Sequence, residues 1–265
     1  MDDPIRRSFE THWRMNPATR AVLDAAVDAA VAAHGDTPFE VVLDVGCGRQ
    51  SNVVFSGARW VVGTDIDLDG LHENTTVDVT VAGDIAQLDL PESSVDAIAC
   101  IYVLEHVAEP DLVFAKLARA LRPGGVMVIA VPNTAAPKAQ VTRVTPLWFH
   151  RFVYERLLGR RDPNAGHPFA TVLDASIRPD RVERLAAMCG LDVLTRIDFE
   201  DNKQRQLREK FGLTGRAWSA ARTATRTVTG GRVDPELSDV CFAFHRAPTP
   251  TEGELAQALT GGLGQ

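Results

Sequence analysis

The sequence predicts an α/β fold, a mostly parallel sheet covered on both faces by helices. Three observations carry that expectation. Several short strands are apolar along their whole length, as strands buried on both faces must be. Stretches with helical periodicity separate them. A glycine turn, DVGCG, follows the first strand directly.

Taken in order, residues 18–34 (ATRAVLDAAVDAAVAAH) place Val22, Ala26, Ala29 and Ala33 on one stripe, which predicts a helix closed by Gly35. FEVVLDVGCG then reads as a buried strand and a tight turn. Residues 59–66, 77–82 and 95–103 supply the next three strands, and 111–121 a helix that stops at Arg122-Pro123-Gly124-Gly125. VMVIAVP is a fifth strand. After Pro132 the rhythm breaks into an insertion, 134–178, with an aromatic stretch at Trp148, Phe149, Phe152 and Val153 read as core or lid packing. RPDRVERLAAMCG is a further helix and LDVLTRIDF a sixth strand. A basic insertion, 201–234, precedes the final strand in SDVCFAFHRA. The organisation expected is an N-terminal helical segment over 1–37, one domain over 38–247 and a disordered tail over 248–265.

Composition narrows the function. No run of about 18 apolar residues exists to cross a bilayer, and MDDPIRRSFETHWRMNP lacks the apolar centre of a secretory signal. Four single cysteines without a CxxC pair suit a reducing cytoplasm. The formal charge of −7 divides unevenly, residues 1–133 being acidic and 134–235 basic. A basic second half could attract an anionic acceptor, although charge runs are more often solvated faces. An acidic chain whose basic stretch has no interleaved aromatics is a poor nucleic-acid binder.

Three carboxylates define a candidate site. Asp44 begins the turn in which Gly46 and Gly48 permit positive φ and close approach of a ligand to the strand end. Asp65 ends the second strand, where a carboxylate can accept from both hydroxyls of a ribose. Asp84 follows the third strand, where it can accept from an adenine amino group while the next backbone N–H donates to the ring. A nicotinamide-dependent oxidoreductase shares the first two features. It would need a third glycine, however, where Gln50 and Ser51 stand, and it leaves Gly83-Asp84 unexplained. A binding module without turnover is a third alternative.

DVGCG, VVGTDI, GDIAQLDLPESSVDAI, VLEHV and LRPGGVMVIAVPN resemble the successive motifs of class I S-adenosylmethionine-dependent methyltransferases, in particular the type 11 group acting on small molecules. The resemblance is strong over 41–133 and holds only in outline over 175–246. It implies a Rossmann-like sheet of seven strands, the last antiparallel, and S-adenosylmethionine as cofactor. It further implies that Gly46 and Gly48, with Cys47, line the amino-acid moiety. Asp65 with Ile66 would hold the ribose, Asp84 with Ile85 would read the adenine, and Tyr102 would lie nearby. Two departures stand out: Gln50 replaces a third glycine, and the interval from Gly48 to the second strand leaves little room for the usual first helix.

For O-methylation of a small molecule or saccharide, a general base with a pKa near neutrality helps. His106 is the leading candidate, followed by His167 and His150 in the insertion. The stretch around His106 also resembles the Glu-x-x-Glu-His pattern of ubiquinone-biosynthesis O-methyltransferases, where carboxylates and histidine bind a divalent metal. Tyr102 takes the first acidic position here, leaving Glu105 and His106 as ligands for Mg²⁺. A homodimer is compatible with these features.

Overall fold

The computed structural model describes residues 16–134, 136, 177–231 and 233–249. Helix α1 (Pro17–His34) opens them. Asn16 caps it, its side chain accepting from Ala18 N at 2.8 Å, Pro17 occupies the first turn, and Gly35 closes it with φ 78°. Its fully buried residues are Thr19, Leu23, Ala26, Val27 and Ala30, and Val22 and Ala29 of the expected stripe pack partly buried beside them. The larger Leu23 and Val27 decide which face turns inward, since they bury more apolar area than alanine.

Strands β1 (Val41–Val45) and β2 (Trp60–Asp65), helix α2 (Leu68–Glu73), and strands β3 (Val79–Ala82) and β4 (Val95–Ile101) follow. Next come helix α3 (Pro110–Ala120), strand β5 (Leu121–Pro132), helix α4 (Pro179–Met188) and strand β6 (Leu191–Phe199). Helices α5 (Asn202–Lys210) and α6 (Gly215–Val228) lead to strand β7 (Asp239–Arg246). The seven strands form one sheet in the order β3-β2-β1-β4-β5-β7-β6. Strand β7 runs antiparallel to both neighbours, and the other pairings are parallel, as the resemblance implied. Strand β5 starts five residues before VMVIAVP, because the Arg122–Gly125 segment continues along β4 through an irregular register at Val95/Ala97. No helix joins β1 to β2; residues 46–59 cross over as a loop.

Alternation along the strands divides the core. One face presents Leu43, Val45, Ile98, Cys100, Phe242 and Phe244 to α3 and α4. The other presents Val42, Ala97, Ala99, Ala130, Cys241 and Ala243 to α1. That second face is lined mainly by small side chains, which lets an alanine-rich helix lie close against β5, β6 and β7. Cys47, Cys100 and Cys241 are buried, while Cys189 is partly exposed. Among the described residues no helix is long and apolar enough to cross a membrane.

Because β2 and β3 lie on one side of β1 while β4 and β5 lie on the other, the strand order reverses at the carboxyl ends of β1 and β4. A crevice opens at such a reversal. At the opposite strand ends, buried Asp96 ties three strands together. Its Oδ2 accepts from Glu40 N and Val41 N, each at 2.8 Å, and its Oδ1 accepts from Arg122 at 2.7 Å. Replacing it leaves two backbone donors and a guanidinium without their acceptor. Asp96→Ala is expected to lower unfolding free energy by about 2–3 kcal/mol, measured by urea denaturation, with Arg122→Ala costing less because that side chain is partly exposed.

Candidate functional site

A cavity of about 460 Å³ opens at the strand reversal, within the range typical of small-molecule sites. Its wall is built from the ends of β1 and β2 (Val45, Gly46, Asp65), from Asp84 and Ile85 after β3, and from Tyr102 and His106 after β4. Four loops that are distant in sequence therefore converge on it.

The glycine turn owes its shape to two close approaches. Gly46 has φ 70°, and a Cβ there would overlap Val103 Cγ2. Gly63, inside β2, has no side chain because a Cβ would lie 2.6 Å from Cys47 Sγ. The turn docks on β2 through its own amides. Gly46 N and Cys47 N donate to Thr64 O at 2.7 and 3.2 Å, and Gly48 N donates to Asp65 Oδ2 at 2.8 Å. Asp65 Oδ1 also accepts from Asp67 N at 2.8 Å. Each carboxylate oxygen retains further acceptor capacity for a ligand hydroxyl. Asp84 is held in a local turn, Oδ1 accepting from Ala86 N at 2.9 Å, and it lies only partly buried at the cavity rim.

The structure thus brings Gly46, Asp65, Ile66, Asp84, Ile85, Tyr102 and His106 to one cavity. It places Asp44 elsewhere. That side chain points to the α1 face of the sheet, where it lines a second, smaller space of about 90 Å³ with Ser51, Val53 and Thr76. Burial pushes its carboxyl up to about 7; a hydrogen bond to Ser51 opposes the rise and nearby Asp65 adds to it. Cys47 and Gly48 form the back of the turn rather than the cavity wall. Burial, with Asp44 and Asp65 near, pushes the Cys47 thiol up to about 12. His150 and His167, with the aromatic stretch 148–153, lie outside the described residues.

Beyond β4 the chain makes a left-handed step at Tyr102, φ 59°. A bulky side chain rarely adopts that conformation, and it is held here by surrounding contacts. Tyr102 N donates to Ala130 O at 2.8 Å, and its hydroxyl donates to Asp239 Oδ2 at 3.1 Å, joining β4 to β5 and β7. Burial and the Asp239 carboxylate push the phenol well above its ordinary range. A 3-10 turn, Leu104–His106, then turns Glu105 inward and leaves His106 about one third exposed on the cavity wall.

Glu105 is 3% exposed, and burial pushes its carboxyl up to about 8, with Asp239 adding to the rise. The residues present do not fit a divalent cation. The Tyr102 phenol is held by Asp239, and Glu105 turns inward, away from the cavity wall on which His106 stands. Among the described residues no group of three His, Cys, Asp or Glu side chains is arranged to hold a metal.

Four arginines of the basic insertion are ion-paired with acids at its two ends. Arg205 and Arg208 bind Glu200, Arg222 binds Asp234 and Glu236, and Arg226 binds Asp234. Spacing alone could not show this, since the acids sit on flanking segments. Sequence reasoning also missed Val103, Val107 and Ala108 in the cavity wall, and Asp239 behind Tyr102. A β7 residue has no sequence signal linking it to a site built after β4.

Residues 43–129 match the family model of a methyltransferase domain, type 11. The chain is similar to the ubiquinone biosynthesis O-methyltransferase of Agrobacterium fabrum, 32% identical over 165 residues, 58% of this chain and 60% of that one. It is also similar to the demethylmenaquinone methyltransferase of a Mycobacterium species, 33% identical over 147 residues, 52% of this chain and 64% of that one. The matched stretch covers less than two thirds of either relative. Among solved structures, a geranyl diphosphate methyltransferase in complex with GPP and sinefungin shares the fold. Its TM-score is 0.53 at 18% identity, covering 93% of this chain and 84% of that one.

The pH dependence of folding checks the Glu105 environment. A carboxyl raised from 4.5 to about 8 contributes stability that is present in full below pH 4.5 and is lost as pH rises through about 8. Glu105→Gln is expected to flatten that decline in a series of melts from pH 5 to 9, and to equal or exceed the wild type at the alkaline end.

Proposed function

We propose that this chain, whose residues 43–129 are a class I S-adenosylmethionine-dependent methyltransferase domain, methylates a hydroxyl oxygen of a small molecule. S-adenosylmethionine is the cofactor of the domain, and when bound it supplies an electrophilic methyl group for in-line displacement. Gly46, Asp65 and Asp84 occupy successive strand ends around one cavity of suitable size, a donor and acceptor set that suits an amino acid, a ribose and an adenine in turn.

The observation that carries the acceptor chemistry is the place of His106. It stands on the cavity wall beyond β4, next to Tyr102 and Val103, and is open enough to meet an acceptor. An imidazole there takes the proton as the hydroxyl attacks, and positioning together with exclusion of water does the remaining work. Glu105 lies behind it, with Oε1 4.0 Å from His106 Nε2. The ubiquinone biosynthesis O-methyltransferases among the relatives favour oxygen as the acceptor atom. A saccharide hydroxyl fits the same chemistry, and a cytoplasmic setting fits the free thiols.

Two measurements test this reading. Calorimetric titration of Asp65→Ala with S-adenosylhomocysteine is expected to show affinity reduced by about tenfold or more, the scale of an unpaired polar contact. His106→Ala should bind S-adenosylhomocysteine like the wild type yet lose about 10²-fold or more in turnover with a hydroxyl acceptor. Unimpaired turnover in that variant removes His106 from proton transfer.

A further inference from the structure

In place of a first helix, a buried polar relay fixes the glycine turn. The loop after β1 runs from Gly46 to Arg59 without a helix to hold it. Three side chains, Ser51, Asn74 and Thr76, are buried beside it at 3%, 9% and 8% exposure. Asn74 Nδ2 donates to Gly48 O at 2.9 Å and to Cys47 O at 3.3 Å. Its Oδ1 accepts from Thr76 N at 2.8 Å and from the Thr76 hydroxyl at 2.7 Å. Thr76 Oγ1 in turn accepts from Ser51 N at 2.9 Å and lies 2.9 Å from Ser51 Oγ.

The amide orientation is determined by its partners. A backbone N–H and a hydroxyl proton both meet one atom of Asn74, which must be the oxygen, so the NH₂ must face the two carbonyls. Both sides of the Asn74 amide therefore have one chemical sense, and the relay meets the loop at two places: Cys47 and Gly48 near its start and Ser51 further along. Cys47 O belongs to the same peptide group as Gly48 N, which docks on Asp65, and Gly48 O to the next peptide along. Asn74 thus grips the outer side of a turn whose inner side faces the cavity.

We infer that Asn74 and Thr76 are positioning residues for S-adenosylmethionine, holding the Gly46–Gly48 turn in its ligand-accepting shape from a segment that itself does not line the cavity. The inference rests on S-adenosylmethionine as the cofactor and is independent of the acceptor and of His106. Asn74 also ends α2, its N–H donating to Leu71 O at 3.2 Å, so the short helix and the relay are built from the same residue.

The test compares Thr76→Val, Thr76→Ser, Asn74→Asp and a control, Val182→Ala, which removes a buried contact on α4. Thr76→Val keeps the shape but removes the hydroxyl; Asn74→Asp keeps the acceptor but removes both donors. Calorimetry with S-adenosylhomocysteine is expected to show about tenfold weaker binding for Thr76→Val and Asn74→Asp, and binding within about twofold of wild type for Thr76→Ser. Val182→Ala should melt earlier but bind normally. In the ligand-free proteins, amide exchange at Gly46, Cys47, Gly48 and Ser51 should accelerate in Thr76→Val while that of β4 and β5 stays slow. Wild-type affinity in Thr76→Val, unchanged exchange at the turn, failure of Thr76→Ser to restore binding, or a loss of affinity in Val182→Ala matching its loss of melting temperature would each overturn the inference.

Discussion

The cavity depends above all on the seam between the turn after β1 and the end of β2. Thr64 O receives two turn amides and Asp65 receives a third, so one strand end sets the backbone of the other. The seam closes only because Gly46 and Gly63 leave out side chains that would collide with Val103 and Cys47. Parallel pairing of β1 with β2 and β4 then brings Asp65, Tyr102 and His106 to the same edge of the sheet. Without the seam the strand ends would still be adjacent, but their polar groups would not converge.

Burial of acid is the second organising constraint. Asp44 and Glu105 are both withdrawn from water and both raised toward neutrality or above it. They differ from Asp65 and Asp84, whose partly exposed oxygens accept backbone donors at the cavity. Carboxylates that look alike in the sequence are therefore sorted by solvation: two at the cavity, two held inside the scaffold. The arginines of α5 and α6 are sorted similarly, most of their charge being met by Glu200, Asp234 and Glu236.

Much of this was legible beforehand. Apolar runs separated by helical stretches marked every strand, and β6 was placed to the residue. The strand-tip acids Asp65 and Asp84 could be recognised because they follow apolar runs directly, and the short interval after Gly48 correctly foretold the missing helix. Other features are not local. The inward face of α1 is centred on Leu23 and Val27, to one side of the stripe that alanine periodicity marks. Asp44 looked like a ligand because it starts the turn, but strand alternation sends its side chain to the opposite face from Val45. Asn74 and Thr76 carry no motif at all; their role exists only once α2 has folded back over the turn.

The uneven burial of the thiols has a practical side. Three of the four cysteines are sealed in the core, and Cys47, beside the cavity, favours its unreactive protonated form. Cys189 alone is partly open, at the end of α4 and away from the glycine turn. A maleimide dye would therefore attach at one place without engineering, providing a fixed optical reference point on the scaffold against which a second probe could report motion around the cavity.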